Sequence, residues 1–282
     1  MVKKFLSFLG TNDYEKCTYE YGDLEKRQCS TKYIQEALLK IVCNDWTEKD
    51  TAVIFLTEKA EKANWYNQEN ENRRLKSILE KLNINIKPVS IPEGKTEDEI
   101  WQIFHIVTNE IDDEDEVIFD ITHSFRSIPM LALVILNYAK VSKDAKLLGI
   151  YYGAFEAKDI NNIAPIFDLT PLNEILEWSQ AVNIFLKYGI SGPFRDISTR
   201  QLRPHLQSEQ WARDTRQFIE SLNNLTMCLY TCRGKVLSGT GNNKKSISSA
   251  IEVVNSNIKK IKDIDEEIQL KPLIPLMDKI EK

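Results

Sequence analysis

The most restrictive feature of this chain is a repeated alternation of an apolar strand, a polar turn and an amphipathic helix, which runs through the first 168 residues. Strands are predicted at Lys4–Leu9, Ala52–Leu56, Asn85–Ser90, Val117–Ile121 and Leu147–Tyr152, and the pattern allows an extra strand near Ala164–Phe167. Helices are predicted between them at Lys32–Cys43, Gln68–Leu82, Glu97–Ile111 and Ile128–Val141. Such alternation favours right-handed crossovers and a mostly parallel sheet covered by helices on both faces. The predicted fold class is therefore α/β, with a Rossmann-like sheet.

The pattern changes after Asp168, where strand-like runs give way to helical periodicity. A polar bridge reaching about Leu206 is expected to separate the first of these helices from a long second one. The predicted helices are Leu172–Tyr188, a long helix that runs from about Leu206 through Arg233, Ser248–Ile261 and Pro272–Ile280. The sequence thus predicts two domains, an α/β domain over residues 1–168 and a smaller all-helical domain over residues 169–282.

Composition excludes several classes of protein. The chain has 37 basic and 42 acidic residues, so a large surface for nonspecific duplex binding is not expected. The run Asp112–Glu116 is interpreted as a solvated acidic turn. Five cysteines without a CxxC pair are typical of reduced thiols, and the longest apolar run is about half of a membrane span. We therefore expect a soluble cytoplasmic protein that does not enter a membrane.

A polar cluster follows the strand at Val117–Ile121, and it contains one of only three histidines. In open α/β sheets, ligands bind at the carboxyl ends of the strands, and a following helix N-terminus favours an anion such as phosphate. In one interpretation, Arg126 pairs with a phosphate, His123 contacts a phosphate or base, and the hydroxyls of Thr122 and Ser124 meet a ribose. In the other, Thr122 or Ser124 caps the helix and Asp120 holds a buried imidazole.

Two further strand ends offer ligand-type residues: Gly10, Thr11 and Asn12 follow the first strand, and Thr57 follows the second. The turn at Gly10 lacks the spaced glycines of a GxGxxG motif, which disfavours a nicotinamide dinucleotide. No second histidine or thiol lies at metal-ligand spacing from His123, so neither a metal nor a cofactor is expected.

The segment Asp120-Ile-Thr-His-Ser-Phe-Arg126 resembles the DxTHG motif of CRISPR-associated CARF-domain proteins, and Ser7-Phe-Leu-Gly-Thr11 resembles the opening signature of that family. The resemblance covers residues 1–168, and Trp178–Gly189 is similar to the linker helix of the ribonuclease members. It implies that two sets of residues line a ligand pocket, with Ser124 in place of the usual glycine of the motif: Gly10, Thr11 and Asn12 from the first loop, and Thr122, His123, Ser124 and Arg126 from the second.

This resemblance implies a sensor of cyclic oligoadenylate, the second messenger of type III CRISPR systems, with cyclic tetra-adenylate as the expected ring. It also implies a homodimer, because the family forms one symmetric pocket across two subunits. The helical domain would then transmit or execute the response. Cleavage of the bound ring, a purely regulatory helical domain, and the binding of an ordinary nucleotide stay open as alternatives.

In the wider family the helical region is often a HEPN ribonuclease domain with an Arg-x4–6-His motif, and Arg200-Gln-Leu-Arg-Pro-His205 fits that spacing. As an alternative function, Arg200 and His205 would cleave single-stranded RNA by polarising a phosphate and transferring protons without a metal. Pro204 interrupts any helix through the motif, and the pair comes early in the domain. Lys271–Met277 resembles the middle of a HEPN domain, so we expect this domain to be incomplete.

Overall fold

The computed structural model describes residues 2–22, 25–66, 74–123, 128–230, 247–262 and 274–281. The chain divides into two compact units, Met1–Thr170 and Pro171–Lys282, and each has its own hydrophobic core.

The first unit is built on one eight-stranded sheet. Its strands are β1 (Lys3–Leu9), β2 (Cys17–Tyr21), β3 (Arg27–Thr31), β4 (Thr51–Leu56), β5 (Asn85–Ser90), β6 (Glu116–Asp120), β7 (Lys146–Gly153) and β8 (Ile163–Asp168). Their order across the sheet is β3-β2-β8-β7-β6-β1-β4-β5. Only the pairs β2–β3 and β7–β8 are antiparallel, and all other neighbouring strands run parallel. The prediction of an α/β fold with a mostly parallel sheet is confirmed.

Helices cover both faces of this sheet. They are α1 (Ile34–Ile41), α2 (Glu58–Ala60), α3 (Leu75–Leu79), α4 (Glu97–Asn109) and α5 (Ile128–Ser142), with a π-type turn at Glu61–Trp65 directly after α2 and a 3-10 turn at Phe155–Ala157. The strand β1 is buried on both sides, since Phe5 belongs to the core with α1 and α3 while Leu6 belongs to the core with α4 and α5. Burial on both faces, as in this largely apolar strand, is typical of the central strands of a parallel sheet.

The sequence analysis missed β2 and β3. Both are five residues long, and polar or charged side chains occupy two positions of β2 and four of β3, so neither has the apolar run that marks the central strands. The predicted helix Gln68–Leu82 is described only from residue 74, where it forms the short α3. The extra strand near Ala164–Phe167 is present as β8.

The second unit is helical in the part that the structure describes. It contains α6 (Thr170–Tyr188), α7 (Gly192–Gln201), a 3-10 turn at Arg203–His205, α8 (Gln210–Tyr230), α9 (Ile247–Lys262) and α10 (Ile274–Glu281). The predicted polar bridge is wrong, because α7 forms there, with Pro193 in its first turn and with Phe194 and Ile197 buried in the core of this unit. No helix within the described ranges is both long and apolar enough to cross a membrane.

Candidate functional site

A cavity of about 430 Å³ lies at the edge of the sheet where the parallel strands end. Six strands end at this edge. Five of them run parallel to one another: β1, β4, β5, β6 and β7. The sixth, β3, has the same direction because it is antiparallel to β2, and β2 runs opposite to β7. The residues that follow these strands line the cavity, among them Gly10, Thr11, Asn12, Lys32, Thr57, Thr122, His123 and Glu156. The fold thus gathers six strand ends around one concave site, which is the usual place for a ligand in open α/β sheets.

The loop after β1 is held in place by Asn64, a buried residue of the π-type turn. Its Nδ2 atom donates to the carbonyl oxygens of Gly10, at 2.9 Å, and of Asn12, at 3.0 Å. A Cβ atom at residue 10 would lie 2.5 Å from the Tyr14 hydroxyl oxygen, so a glycine is needed for this close approach. Thr11 and Asn12 themselves are exposed. Asn64 was not predicted, since no sequence signature marks a π-type turn.

Asp120 lies beneath the cavity and is buried. Its Oδ2 atom accepts a hydrogen bond of 2.7 Å from Ser7 Oγ, and its Oδ1 atom accepts one of 2.9 Å from the Thr122 backbone N–H. Burial raises the pKa of Asp120 above its ordinary value, against these hydrogen bonds. The hypothesis that Asp120 holds the imidazole of His123 is wrong, because its two oxygens join β1 to the end of β6 instead.

Thr122 connects two strand ends. Its Oγ1 atom accepts a hydrogen bond of 2.8 Å from the backbone N–H of Gly153, at the end of β7. The residues between His123 and Ile128 lie outside the described part of the chain, so capping of α5 by Thr122 or Ser124 stays a prediction. The Thr122 side chain also hydrogen-bonds to the Asp120 carboxylate, and the residue lines the cavity.

His123 stacks against Tyr14 at the cavity wall, with ring centroids 4.3 Å apart and planes inclined by 38°. Burial lowers the pKa of His123 to about 4, so the imidazole is neutral at pH 7. Its Nε2 atom is buried and has no hydrogen-bond partner among the described residues, and the same holds for the Tyr14 hydroxyl, which faces the backbone of Gly10. Buried polar atoms are normally paired, so these two are candidates for contact with a ligand.

The remaining predicted residues fall in different places. Thr57 is buried at the cavity and caps α2, since its Oγ1 accepts from the Ala60 N–H at 3.2 Å. Ser124 and Arg126 lie outside the described residues. Lys32 and Glu156 line the cavity but were not predicted, and Lys32 follows a strand that the sequence did not reveal.

The proposed nuclease pair lies in the second unit. Arg200 belongs to α7, but its side chain is outside the described part of the structure. His205 is exposed in the 3-10 turn, with its ring centroid 5.2 Å from that of Trp211. The helix α7 ends at Gln201, so the motif does not lie on one continuous α-helix, as Pro204 predicts. Catalysis by this pair stays a prediction.

Comparisons with known proteins place these features in a family. A family model described as "CRISPR system endoribonuclease Csx1, CARF domain" matches residues 4–156. The CRISPR-associated protein MJ1674 of Methanocaldococcus jannaschii is 35% identical over 139 residues, which are 45% of this chain and 22% of that protein. The matched segment is thus about a fifth of the length of this relative.

Two solved structures align with most of the chain at low similarity. Enterococcus italicus Csm6, bound to cyclic hexa-2'-fluoro-hexa-dAMP, matches with a TM-score of 0.47 and 14% identity, over 94% of this chain and 63% of that protein. Phosphofructokinase-2 from Escherichia coli, in complex with potassium, matches with a TM-score of 0.25 and 10% identity, over 91% and 99% of the two chains.

Proposed function

The chain belongs to the Csx1 CARF-domain family of CRISPR-associated proteins, as an accessory protein of type III systems, and we propose that it binds cyclic tetra-adenylate in the cavity at the carboxyl edge of its sheet. The observation that carries this proposal is that the loop after β1 and the segment after β6, the two places that resemble the CARF motifs, open into one cavity. The bound ring would then control the helical unit, in the cytoplasm.

The groups at the cavity suit a nucleotide ligand. Threonine hydroxyls from Thr11 and Thr122 offer donors and acceptors to ribose or phosphate oxygens, and the neutral His123 contributes a hydrogen-bonding ring without adding charge. A cavity of about 430 Å³ is within the range of roughly 300–1,000 Å³ that is common for small-molecule sites. A ring of four nucleotides would therefore use two such cavities, one from each of two copies of the chain.

A homodimer through α5 is the proposed way to bring two cavities together. This helix is apolar on both sides: Ala132, Ile135, Leu136 and Ala139 are buried in the core, while another set is exposed. The exposed set forms a stripe of Met130, Leu133, Val134, Tyr138 and Val141, of which Val141 is 87% exposed. A helix with apolar residues all round is normally covered, and α5 directly follows the segment that contains His123. A symmetric contact between two α5 helices would place both cavities beside the two-fold axis.

Ligand binding is tested by isothermal titration calorimetry with cyclic tetra-adenylate and cyclic hexa-adenylate, and with ATP and NAD as ordinary nucleotides. We expect tight binding of the tetra-adenylate ring at one ring per two chains. A folded protein that gives no heat with either ring would refute the proposal. Preferential binding of ATP or NAD would instead support a common nucleotide site.

The dimer is tested by light scattering after size-exclusion chromatography. We expect Val134→Glu to convert the dimer to a monomer, because it places a charge in the centre of the α5 stripe. The matched control is Ile251→Glu, which introduces the same charge at an exposed apolar position of α9. If Val134→Glu elutes with the same mass as the unmodified protein, α5 is not the interface.

A second candidate function is activator-dependent cleavage of single-stranded RNA, which the description of the family as endoribonucleases and the exposure of His205 favour. A fluorescent RNA reporter incubated with cyclic tetra-adenylate tests it. His205→Ala should abolish the signal, and undiminished cleavage would remove His205 from the reaction. Binding of the ring with no RNA cleavage and no conversion of the ring would favour a regulator without catalytic activity, whereas conversion of the ring to linear products would indicate a ring nuclease.

A further inference from the structure

We infer that Lys32 contacts a phosphodiester of the ligand and so supplies positive charge to this cavity, an inference that rests on the proposed function. Lys32 lines the cavity, although it belongs to neither of the two segments that resemble CARF motifs. The first observation is its position in the fold, the second is the charge of the groups around it, and the third is that it has no partner among the described residues.

The position of Lys32 is fixed from both sides. Before it, β3 ends at Thr31, whose Oγ1 accepts a hydrogen bond of 3.1 Å from the Tyr33 N–H. After it, the first turn of α1 is tied to β1, because the buried Gln35 donates its Nε2 hydrogens to Ser7 Oγ and to the Phe8 carbonyl, both at 3.1 Å. The backbone of Lys32 is therefore held at the cavity, and only its side chain has freedom to follow a ligand.

The charges around the cavity make a cation necessary for an anionic ligand. Among the described lining residues, Lys32 is the only one that is positively charged, since burial keeps His123 neutral. The acidic lining residues are Asp13, Glu15 and Glu156, of which Glu15 is paired with Lys158. Each phosphodiester carries a negative charge, so an adenylate ring that met only these carboxylates would be repelled.

The lysine is available for this role because no residue in the described ranges pairs with it. Lys32 makes no ion pair or hydrogen bond with any residue that the structure describes, and it is partly exposed. Other lysines nearby are engaged: Lys158 pairs with Glu15 at 3.3 Å, and Lys40 pairs with Glu36 at 2.6 Å. A fixed, unpaired cation in a cavity with acidic walls is the arrangement expected of a phosphate contact.

The test is calorimetric titration of the full chain with cyclic tetra-adenylate at several salt concentrations. We expect Lys32→Gln to weaken binding by about 10- to 100-fold, the usual range for a hydrogen bond to a charged group, and to make the affinity less sensitive to salt. Lys32→Arg should retain most of the affinity. The matched control is Lys49→Gln, which removes the same charge from an exposed turn at the opposite edge of the sheet and should change affinity less than twofold.

Each result has one meaning. If the unmodified protein binds and Lys32→Gln binds equally well with the same salt dependence, the role of Lys32 is refuted while the proposed function stands. If the unmodified protein binds neither the tetra- nor the hexa-adenylate ring, the proposed function fails, and the role of Lys32 fails with it. Thermal unfolding of each variant verifies that it is folded, and equal losses for Lys32→Gln and Lys32→Arg would indicate a packing role instead of a phosphate contact.

Discussion

Both edges of the sheet carry buried polar groups, but those at the amino edge are paired within the chain, whereas two at the carboxyl edge are not. At the amino edge, Lys4 Nζ is surrounded by the Glu110 carbonyl at 2.7 Å, Asp112 at 2.6 Å and Asp115 at 2.8 Å. At the carboxyl edge, His123 Nε2 and the Tyr14 hydroxyl are buried without a hydrogen-bond partner among the described residues.

This difference distinguishes polar groups that stabilise the fold from polar groups that are free to contact a ligand. A buried charge that is fully paired within the chain contributes to the fold and has nothing left to offer a ligand. An unpaired buried polar atom costs stability, so its presence in a cavity is best explained by a group that arrives from outside. The difference predicts that substitutions at the amino edge reduce stability alone, whereas those at the carboxyl edge also reduce ligand affinity.

The largest effect on stability is expected for Lys4→Met. Asp115 is 4% exposed and would lose its cation, and breaking a buried ion pair from one side costs about 3–5 kcal/mol in the free energy of unfolding. The neighbouring Lys3 is the control, since its partner Asp45 is 64% exposed and Lys3→Met should cost less than about 1 kcal/mol. Urea denaturation measures both, and affinity for the cyclic ligand should change in neither. Weaker ligand binding by Lys4→Met would contradict the separation of the two edges.

Next in size is Asn64→Asp, a change of nearly identical shape. It replaces a donor of two hydrogen bonds by a carboxylate that faces the carbonyls of Gly10 and Asn12, and we expect a loss of about 2 kcal/mol in stability. Because the loop after β1 would move, affinity for the cyclic ligand should fall about tenfold or more. Asn85→Asp, at the exposed start of β5, is the control. Lower stability with unchanged affinity would show that the loop does not contact the ligand.

A smaller effect is expected for Gly10→Ala. The added Cβ would lie 2.5 Å from the Tyr14 hydroxyl, and Tyr14 cannot easily yield because it packs between His123 and Tyr33. We expect a loss of about 1–2 kcal/mol and a clear drop in ligand affinity. At Gly192 a Cβ meets nothing within 4 Å, so Gly192→Ala should be neutral or slightly stabilising. Equal behaviour of the two variants in both assays would argue against a tight contact at Gly10.

The smallest effect concerns pH and His123. Its pKa is about 4 in the folded chain and about 6.5 when unfolded, so the unfolded chain binds more protons between these values. Its contribution to stability is therefore complete above pH 6.5 and is lost as the pH falls towards 4. We expect this loss to be about 1 kcal/mol at pH 5, since the ring is partly exposed to solvent, and His123→Gln should remove it. Denaturation at pH 7 and pH 5 measures the loss; Tyr14→Phe, which keeps the histidine, should behave like the unmodified chain. An unchanged pH dependence in His123→Gln would assign the effect to another group.

The sequence was sufficient to predict the central strands of the sheet, but not the strands β2 and β3 near its edge. The central strands β1, β4 and β6 are largely apolar, with Ser7 as a polar residue inside β1, and the polar residues that follow them stand out in the sequence. In contrast, β2 and β3 mix polar and apolar residues, so Lys32 had no visible strand to place it at the cavity. The contact between Ser7 and Asp120 spans 113 positions in the chain, and only the fold brings the two together.

The same limit applies to the acidic run Asp112–Glu116, which was interpreted as solvated. Charge alone describes Asp112 well, because that side chain is 78% exposed. It fails for Asp115, which is buried against Lys4, a residue more than 100 positions earlier in the chain. The local pattern of charge cannot reveal an ion-pair partner, here Lys4, that lies on a strand distant in the sequence.

The antiparallel strand β8 links the rim of the cavity to the last residues of the first unit. It pairs with the end of β7, where Tyr152 lies opposite Phe167, and α6 begins immediately after it. The start of α6 is clamped to the sheet, because the Thr170 Oγ1 accepts from the Ile150 N–H at 3.0 Å and Asp168 accepts from the Thr170 N–H at 2.9 Å. Ile150 is only three residues, or about 10 Å, from the end of β7 at the cavity. A displacement of β7 by a bound ring is thus expected to reach Thr170, the last residue of the first unit, through these two hydrogen bonds.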